Sequence, residues 1–365
     1  MAHKVIISGG GTGGHIFPAI AIANALGRIA PDVEILFVGA TGRMEMDRVP
    51  AAGYEIIGLD IQGIDRNSIL KNLLLPFKML SSLLRARRII KEFKADVAVG
   101  VGGYASGPLL IMSNMLRLPT LIQEQNSYAG VTNKLLGKRA KTICVAYPGM
   151  EQFFPADKLV FTGNPIRRES VDIKDKKAEA LSFFGLEEGH KTILVTGGSL
   201  GARTLNKAVE AALSRLEAEG IQVIWQCGSY YHTELQANLA ATLPKGIVLL
   251  PFLQRMDYAY AAADLIVSRA GAGTISELCI IGKPVLLIPS PNVAEDHQTK
   301  NAHALVDKGA AVMLRDAAAE GQFFEVLMAI LNDAERAENL GRNITQLARL
   351  EADEQIAKEV LKLIK

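Results

Sequence analysis

Short apolar runs rich in Val, Ile and Leu recur along the chain. Longer stretches of mixed apolar and polar residues at helical spacing separate them. The runs predict strands over 5–7, 33–38, 54–59, 97–101, 120–123, 142–146 and 159–162. After Gly163-Asn164-Pro165 the pattern is charged and irregular over 169–190, which reads as a linker. Strand signals then resume in KTILVT and over 223–226, 248–251, 265–268, 285–288 and 311–314, and residues 335–365 read as helical and charged. Strand–helix alternation implies parallel sheets with right-handed crossovers. The expected fold class is α/β: two Rossmann-like doubly wound domains facing a cleft, with ligands at the carboxyl ends of the strands.

Both halves open on a strand followed by glycines. In KVIISGGGTGGHIFPAIAIANAL, five of the six residues from Gly9 to Gly14 are glycine. A tight strand-to-helix turn needs only one or two. Backbone without Cβ approaches a ligand closely, and a helix start offers unpaired N–H groups and partial positive charge, so this turn suits a phosphate. Gly9, Gly11 and Gly14 satisfy G-x-G-x-x-G, a weak signal alone. The acid that would hold a dinucleotide's ribose at the end of the second strand is missing, since Glu34 sits at its start. Similar turns occur at Gly102-Gly103-Tyr104-Ala105-Ser106-Gly107 and at Gly197-Gly198-Ser199-Leu200-Gly201. Three such turns suit a nucleotide diphosphate and a second phosphorylated substrate.

The chain has 365 residues, 49% of them hydrophobic, enough for two cores, and a net charge of +2 that gives no general affinity for nucleic acid. Cys144, Cys227 and Cys279 lack metal spacing and read as reduced core thiols. No acidic, His or Cys cluster predicts a metal, no Lys-Ser/Thr follows a glycine loop as a Walker motif requires, and no cofactor is expected. Neither a signal peptide nor a membrane-spanning run is visible.

Other stretches carry candidate chemistry. His15, placed where a helix start favours the neutral ring, is a candidate general base, though a lone His more often packs or caps. Glu277, in SRAGAGTISE, either offsets a helix dipole or accepts both hydroxyls of a ribose; it is expected in the helix's first turn. Asp296-His297-Gln298 either caps a helix or meets sugar hydroxyls. Gln123-Glu124-Gln125-Asn126 reads as a polar surface loop or a sugar site. The stretch 69–91, ILKNLLLPFKMLSSLLRARRIIK, is dense in Leu and in Lys and Arg without an acid. Pro76 is expected to start or kink a helix there. Part must be core, but the surplus of apolar residues with basic neighbours suits an anionic membrane surface.

Together, GGGTGGHIFPAIAIANAL, VGVGGYASGP, QEQNSYAGVTNKLL, FTGNPIR, VTGGSLGARTLN and SRAGAGTISEL…GKPVLLIP…DHQTKNA resemble the MurG-type family of lipid II-forming glycosyltransferases, in order over nearly the whole chain. The resemblance implies the GT-B fold and a metal-independent, inverting transfer of N-acetylglucosamine from UDP-N-acetylglucosamine to the 4-hydroxyl of the muramoyl unit of lipid I. The alternative on the same fold is a UDP-sugar epimerase or a UDP-sugar transferase to another lipid acceptor.

Carried over by motif, residues 1–163 form the acceptor and membrane-associating domain, 164–340 bind the donor, and 341–365 return to the first domain. Thr12, Gly13, Gly14, Asn126, Arg167, Ser199, Leu253 (through its backbone), Ala272, Gly273, Thr274, Ile275, Ser276, Glu277 and Gln298 would meet the donor, with Glu277 on the ribose. Gly102, Gly103 and Tyr104 would meet the acceptor diphosphate, and His15 would be the base. Ile69, Leu73, Leu74, Phe77, Leu80 and Leu84 with Lys71, Lys78, Arg85 and Arg88 would form the membrane patch. His297 stands where the family often has Gln and has no implied role. The implied partners are UDP-N-acetylglucosamine, lipid I, an anionic membrane surface and other cell-wall synthesis proteins. The implied location is peripheral, on the cytoplasmic face of the bacterial plasma membrane.

Overall fold

The computed structural model describes residues 3–63, 75–198, 200–293 and 296–364. The chain divides into two compact units, Met1–Ile166 with Arg349–Lys365, and Arg167–Ala348. The expected boundaries at 163/164 and 340/341 thus fall a few residues later. The expected linker 169–190 is not one. It carries helices α6 (Arg168–Val171) and α7 (Lys177–Phe184), both in the second unit. They are too short for a clear helical period.

Unit 1 runs β1 (Lys4–Ser8), α1 (Gly13–Ile29), β2 (Glu34–Ala40), α2 (Glu45–Ala51), β3 (Glu55–Leu59), α3 (Leu75–Phe93), β4 (Val97–Gly100), α4 (Ser106–Met115), β5 (Thr120–Glu124), α5 (Val131–Gly137), β6 (Thr142–Val145) and β7 (Leu159–Phe161). The seven strands pair in parallel in the order β3-β2-β1-β4-β5-β6-β7. Helices cover both faces, which is why the strands read as unbroken apolar runs. Val5 and Ile7 point to one face, against Ile16, Ile22 and Leu26 of α1. Ile6 points to the other, against Leu109 and Leu110 of α4 and Ile89 of α3. Pro76 sits in the first turn of α3, where its missing N–H costs nothing.

Unit 2 continues with β8 (Thr192–Thr196), α8 (Arg203–Ala218), β9 (Gln222–Gln226), α9 (Ser229–Leu239), β10 (Ile247–Leu250), α10 (Met256–Ala262), β11 (Leu265–Ser268), α11 (Ala272–Ile281), β12 (Val285–Leu287), α12 (His297–Val306), β13 (Val312–Met313), α13 (Ala319–Leu331) and α14 (Ala334–Thr345). Its sheet is also parallel, in the order β10-β9-β8-β11-β12-β13. Trp225, fully buried, donates from Nε1 to Asn206 Oδ1 at 3.0 Å, tying β9 to α8. The last helix, α15 (Ala352–Lys362), belongs to unit 1 and packs on α1.

Candidate active site

In a doubly wound sheet the strand order reverses at a switch point, and the crevice there opens beyond the strand ends. In unit 1 the reversal falls between β1 and β4. In unit 2 it falls between β8 and β11. The glycine turns after β1 and β4, the one after β8, and the small-residue turn after β11 are the loops at those two points. Backbone amides are therefore concentrated where each sheet leaves room for a ligand.

The two turns of unit 1 lie against each other. A Cβ on Gly103, whose φ is +77°, would stand 2.4 Å from the carbonyl oxygen of Gly10, so only glycine fits. A Cβ on Gly102 would lie 3.0 Å from His15 Nε2, so the imidazole faces the second turn. His15 Nδ1 is 3.2 Å from Thr12 Oγ1. With the proton on Nδ1, donated to Thr12, the Nε2 lone pair points toward the Gly102 side.

Glu45, fully buried at the start of α2, holds the first turn in place. Its carboxylate accepts from the N–H of Gly11 at 3.1 Å and of Ala40 at 3.0 Å. Its oxygen fills the space that a Cβ on Gly10 would need. The second strand ends without the acid that a dinucleotide's ribose requires. The acid arrives five residues later, bound to backbone rather than to a ribose.

The run Gln123–Asn126 is largely internal. Gln123 donates to Asn164 Oδ1 at 2.9 Å, and Gln125 donates to Val101 O at 2.7 Å and to Gln123 Oε1. Glu124 accepts from the N–H groups of Asn126 and Gly130 and from Asn133 Nδ2 at 2.9 Å. Burial pushes its pKa up, and these bonds oppose the shift. Three of the four residues are buried and brace β5 instead of facing a sugar; Asn126, half-buried at the strand end, also donates from Nδ2 to Glu124 at 3.3 Å.

In unit 2, Arg167, Ser170, Tyr260 and Glu277 converge. Glu277 lies in the second turn of α11, not the first as expected, because the helix begins at Ala272. Its Oε2 accepts from Tyr260 OH at 2.9 Å and its Oε1 from Ser170 Oγ at 3.1 Å. Burial raises the Glu277 pKa, and the Arg167 guanidinium pulls against it. The same burial and the Glu277 charge push the Tyr260 phenol well above its usual value. Ser170 and Tyr260 were invisible as site residues, since only tertiary packing brings them to Glu277.

Ala272, Gly273, Thr274, Ile275 and Ser276 form the opening turns of α11, behind the extended N-cap Gly271. Leu253 has a buried side chain, which leaves its backbone for contacts. Gln298 Oε1 accepts from the Ser290 N–H at 2.8 Å, tying α12 to the loop after β12. Asp296, at the N-cap of α12, accepts from Thr299 Oγ1 at 2.7 Å. Ser199 lies outside the described residues, as do Ile69, Lys71, Leu73 and Leu74. Phe77, Lys78, Leu80, Leu84, Arg85 and Arg88 all lie on α3. Two of these bases have acid partners from outside the acid-free stretch: Lys78 pairs with Asp60 at 3.1 Å and Arg88 with Glu92 at 2.7 Å. Among the described residues no group of His, Cys, Asp and Glu is placed to hold a metal.

Residues 5–145 match the glycosyltransferase family 28 N-terminal domain, and residues 192–360 match its C-terminal domain. With two parallel sheets and amide-rich switch points, fold and site define a glycosyltransferase of the GT-B class. The chain is 57% identical to the UDP-N-acetylglucosamine--N-acetylmuramyl-(pentapeptide) pyrophosphoryl-undecaprenol N-acetylglucosamine transferase of Parabacteroides distasonis, over 99% of this chain and 98% of that one. It is 55% identical to the enzyme of the same name from Bacteroides fragilis, over 99% and 96%. It superposes on the crystal structure of Acinetobacter baumannii MurG with a TM-score of 0.79 at 32% identity, covering 99% of each chain. The chain belongs to the MurG family of these transferases. A UDP-N-acetylglucosamine 2-epimerase from Listeria monocytogenes also superposes, with a TM-score of 0.70, but at 15% identity it shares the fold alone.

Proposed function

We propose that the protein transfers N-acetylglucosamine from UDP-N-acetylglucosamine to the 4-hydroxyl of the muramoyl unit of lipid I, forming lipid II with inversion. The single observation that carries this is the full-length identity of 57% to an enzyme named for that transfer. The geometry of each unit supplies the chemistry. Unit 2 takes the donor: the turns after β8 and β11 offer amides to its diphosphate, Glu277 accepts from its ribose, and Gln298 meets the sugar. Arg167 and the turn amides stabilise charge that develops on the leaving UDP. Unit 1 takes the acceptor, with the diphosphate at Gly102, Gly103 and Tyr104. His15 Nε2 removes the proton of the attacking hydroxyl, and Thr12 holds the tautomer that keeps that nitrogen basic.

Among the described residues no helix is long and apolar enough to cross a membrane. Membrane association is assigned to α3, where Phe77, Leu80 and Leu84 are exposed beside Arg85, Arg87 and Arg88. Such a patch suits peripheral attachment to an anionic leaflet, on the cytoplasmic face where the acceptor is offered and other cell-wall synthesis proteins assemble.

The test incubates the protein with UDP-N-acetylglucosamine and a soluble lipid I analogue. UDP release that requires the analogue is expected, and His15→Ala lowers kcat by about a hundredfold or more. Release of UDP without the analogue, or interconversion of the donor sugar, would sink the transfer reading. A silent His15→Ala would remove the base assignment alone.

A further inference from the structure

One cavity of unit 1 touches the transfer as described only through Tyr104. It measures about 690 Å3, within the size range of small-molecule sites. It lies among the residues after β3, the start of α3, and helices α4 and α5. Met79, Ile111, Val131 and Leu135 make its walls largely apolar, and Gln62, Asn114, Thr132, Arg139 and Tyr104 are its more polar lining. The same helices expose further large apolar side chains outward: Leu80 is 58% exposed, Leu84 59% and Met115 62%. Soluble monomers seldom leave so many on neighbouring elements without a use.

Tyr104 links this cavity to the switch point. It belongs to the second glycine turn, and its ring packs on the first: a Cβ on Gly11 would stand 3.0 Å from Tyr104 Cε1. Burial raises the pKa of its phenol, and the charge of the nearby Arg43 guanidinium pulls against that rise. One side of Tyr104 therefore offers backbone amides and a guanidinium, and the other opens on hydrocarbon. A ligand that fits both has a diphosphate joined directly to a branched apolar chain.

We propose that this cavity receives the first isoprenoid units of the acceptor's polyprenyl chain, with Tyr104 at the junction of diphosphate and hydrocarbon. The proposal rests on the transfer reading above and names the part of the acceptor that reading leaves unplaced. Hydrocarbon gains little by leaving a bilayer for an apolar cavity, so in the membrane the contact sets the register of the diphosphate on the glycine turn. In water, where hydrocarbon is driven out of solvent, the same contact appears as affinity.

The experiment uses the full chain without detergent or vesicles, at saturating UDP-N-acetylglucosamine. Two acceptors carry the same diphospho-muramoylpentapeptide, one with a short isoprenoid tail and one capped by a methyl group. Ile111→Trp and Val131→Trp fill the cavity. Val131 is 61% exposed, so the second variant folds even where the first does not. The KM for the isoprenoid acceptor rises about tenfold in the variants, while the KM for the methyl acceptor stays within about twofold. Equal changes for both acceptors, or for neither, overturn the proposal. If the unmodified protein transfers to neither acceptor, the transfer reading fails, and the proposal falls with it for that separate, visible reason.

Discussion

Glu277 shows how one side chain collects the forces of its surroundings. Burial alone favours its neutral form, yet the proposed contact with a pair of ribose hydroxyls needs the carboxylate as acceptor. Tyr260, Ser170 and Arg167 supply the opposing stabilisation. Because the pKa is raised, protonation begins above the usual carboxylate range, and donor affinity is lost as the pH falls through it. Replacing Glu277 with Gln removes that limb of the pH profile. It also raises the donor KM by roughly tenfold to a hundredfold, the scale of one hydrogen bond to a charged group, and leaves the acceptor KM in place. An unchanged donor KM in Glu277→Gln would show that the carboxylate is not on the ribose. Tyr260→Phe separates holding from contact: the phenol donates to Glu277 from a fully buried position, so its loss acts on the donor KM only through the carboxylate.

At the scale of elements, what was legible in the sequence was what local physics demands. Parallel strands buried on both faces must be apolar, so the alternation of runs yielded the sheets. Glycines at positive φ or under a neighbouring backbone are required by the turn itself, so the switch-point loops stood out. Glu45, Ser170 and Tyr260 carry no such local mark, because each acts on a partner, the Gly11 turn or Glu277, that only the folded chain brings near. The stretch 69–91 shows both sides of this. Over its described part, 75–91, the helical character was readable, whereas the acids facing Lys78 and Arg88 lie outside the stretch in sequence.

The remaining surface of α3 still presents Phe77, Leu80 and Leu84, at 72%, 58% and 59% exposure. Sedimentation with vesicles containing anionic lipid tests it directly. Burying these side chains in an interface is worth up to about 1.5–3 kcal/mol each, so changing all three to Ser lowers partitioning by about a hundredfold or more. The substitutions lie on solvent-facing positions, so the melting temperature stays near that of the unmodified protein. A triple variant that still sediments as before would place the anchor elsewhere.

At the scale of the whole molecule, the chain leaves unit 1 at Ile166, builds unit 2, and comes back. The return is more than a tether. Ile356, Ala357 and Val360 of α15 are fully buried in the same core as Ile16, Ile22 and Leu26 of α1. Asp353, itself buried, pairs with Arg28 at 2.5 Å. Unit 1 therefore completes its core only with residues made after unit 2, and the helix so supported, α1, is the one that starts at the first glycine turn and carries His15. Truncating Ile356 to Ala leaves a cavity against α1 at a cost of about 2–5 kcal/mol, the usual range for a buried large aliphatic side chain. Hydrogen exchange locates the loss. Amides of α1 and β1 exchange faster in Ile356→Ala, while those of β8 and β9, in the other unit's core, keep their protection. Equal acceleration in both units would mean that the molecule opens as one cooperative block, and that α15 guards unit 2 as much as the turn that holds His15.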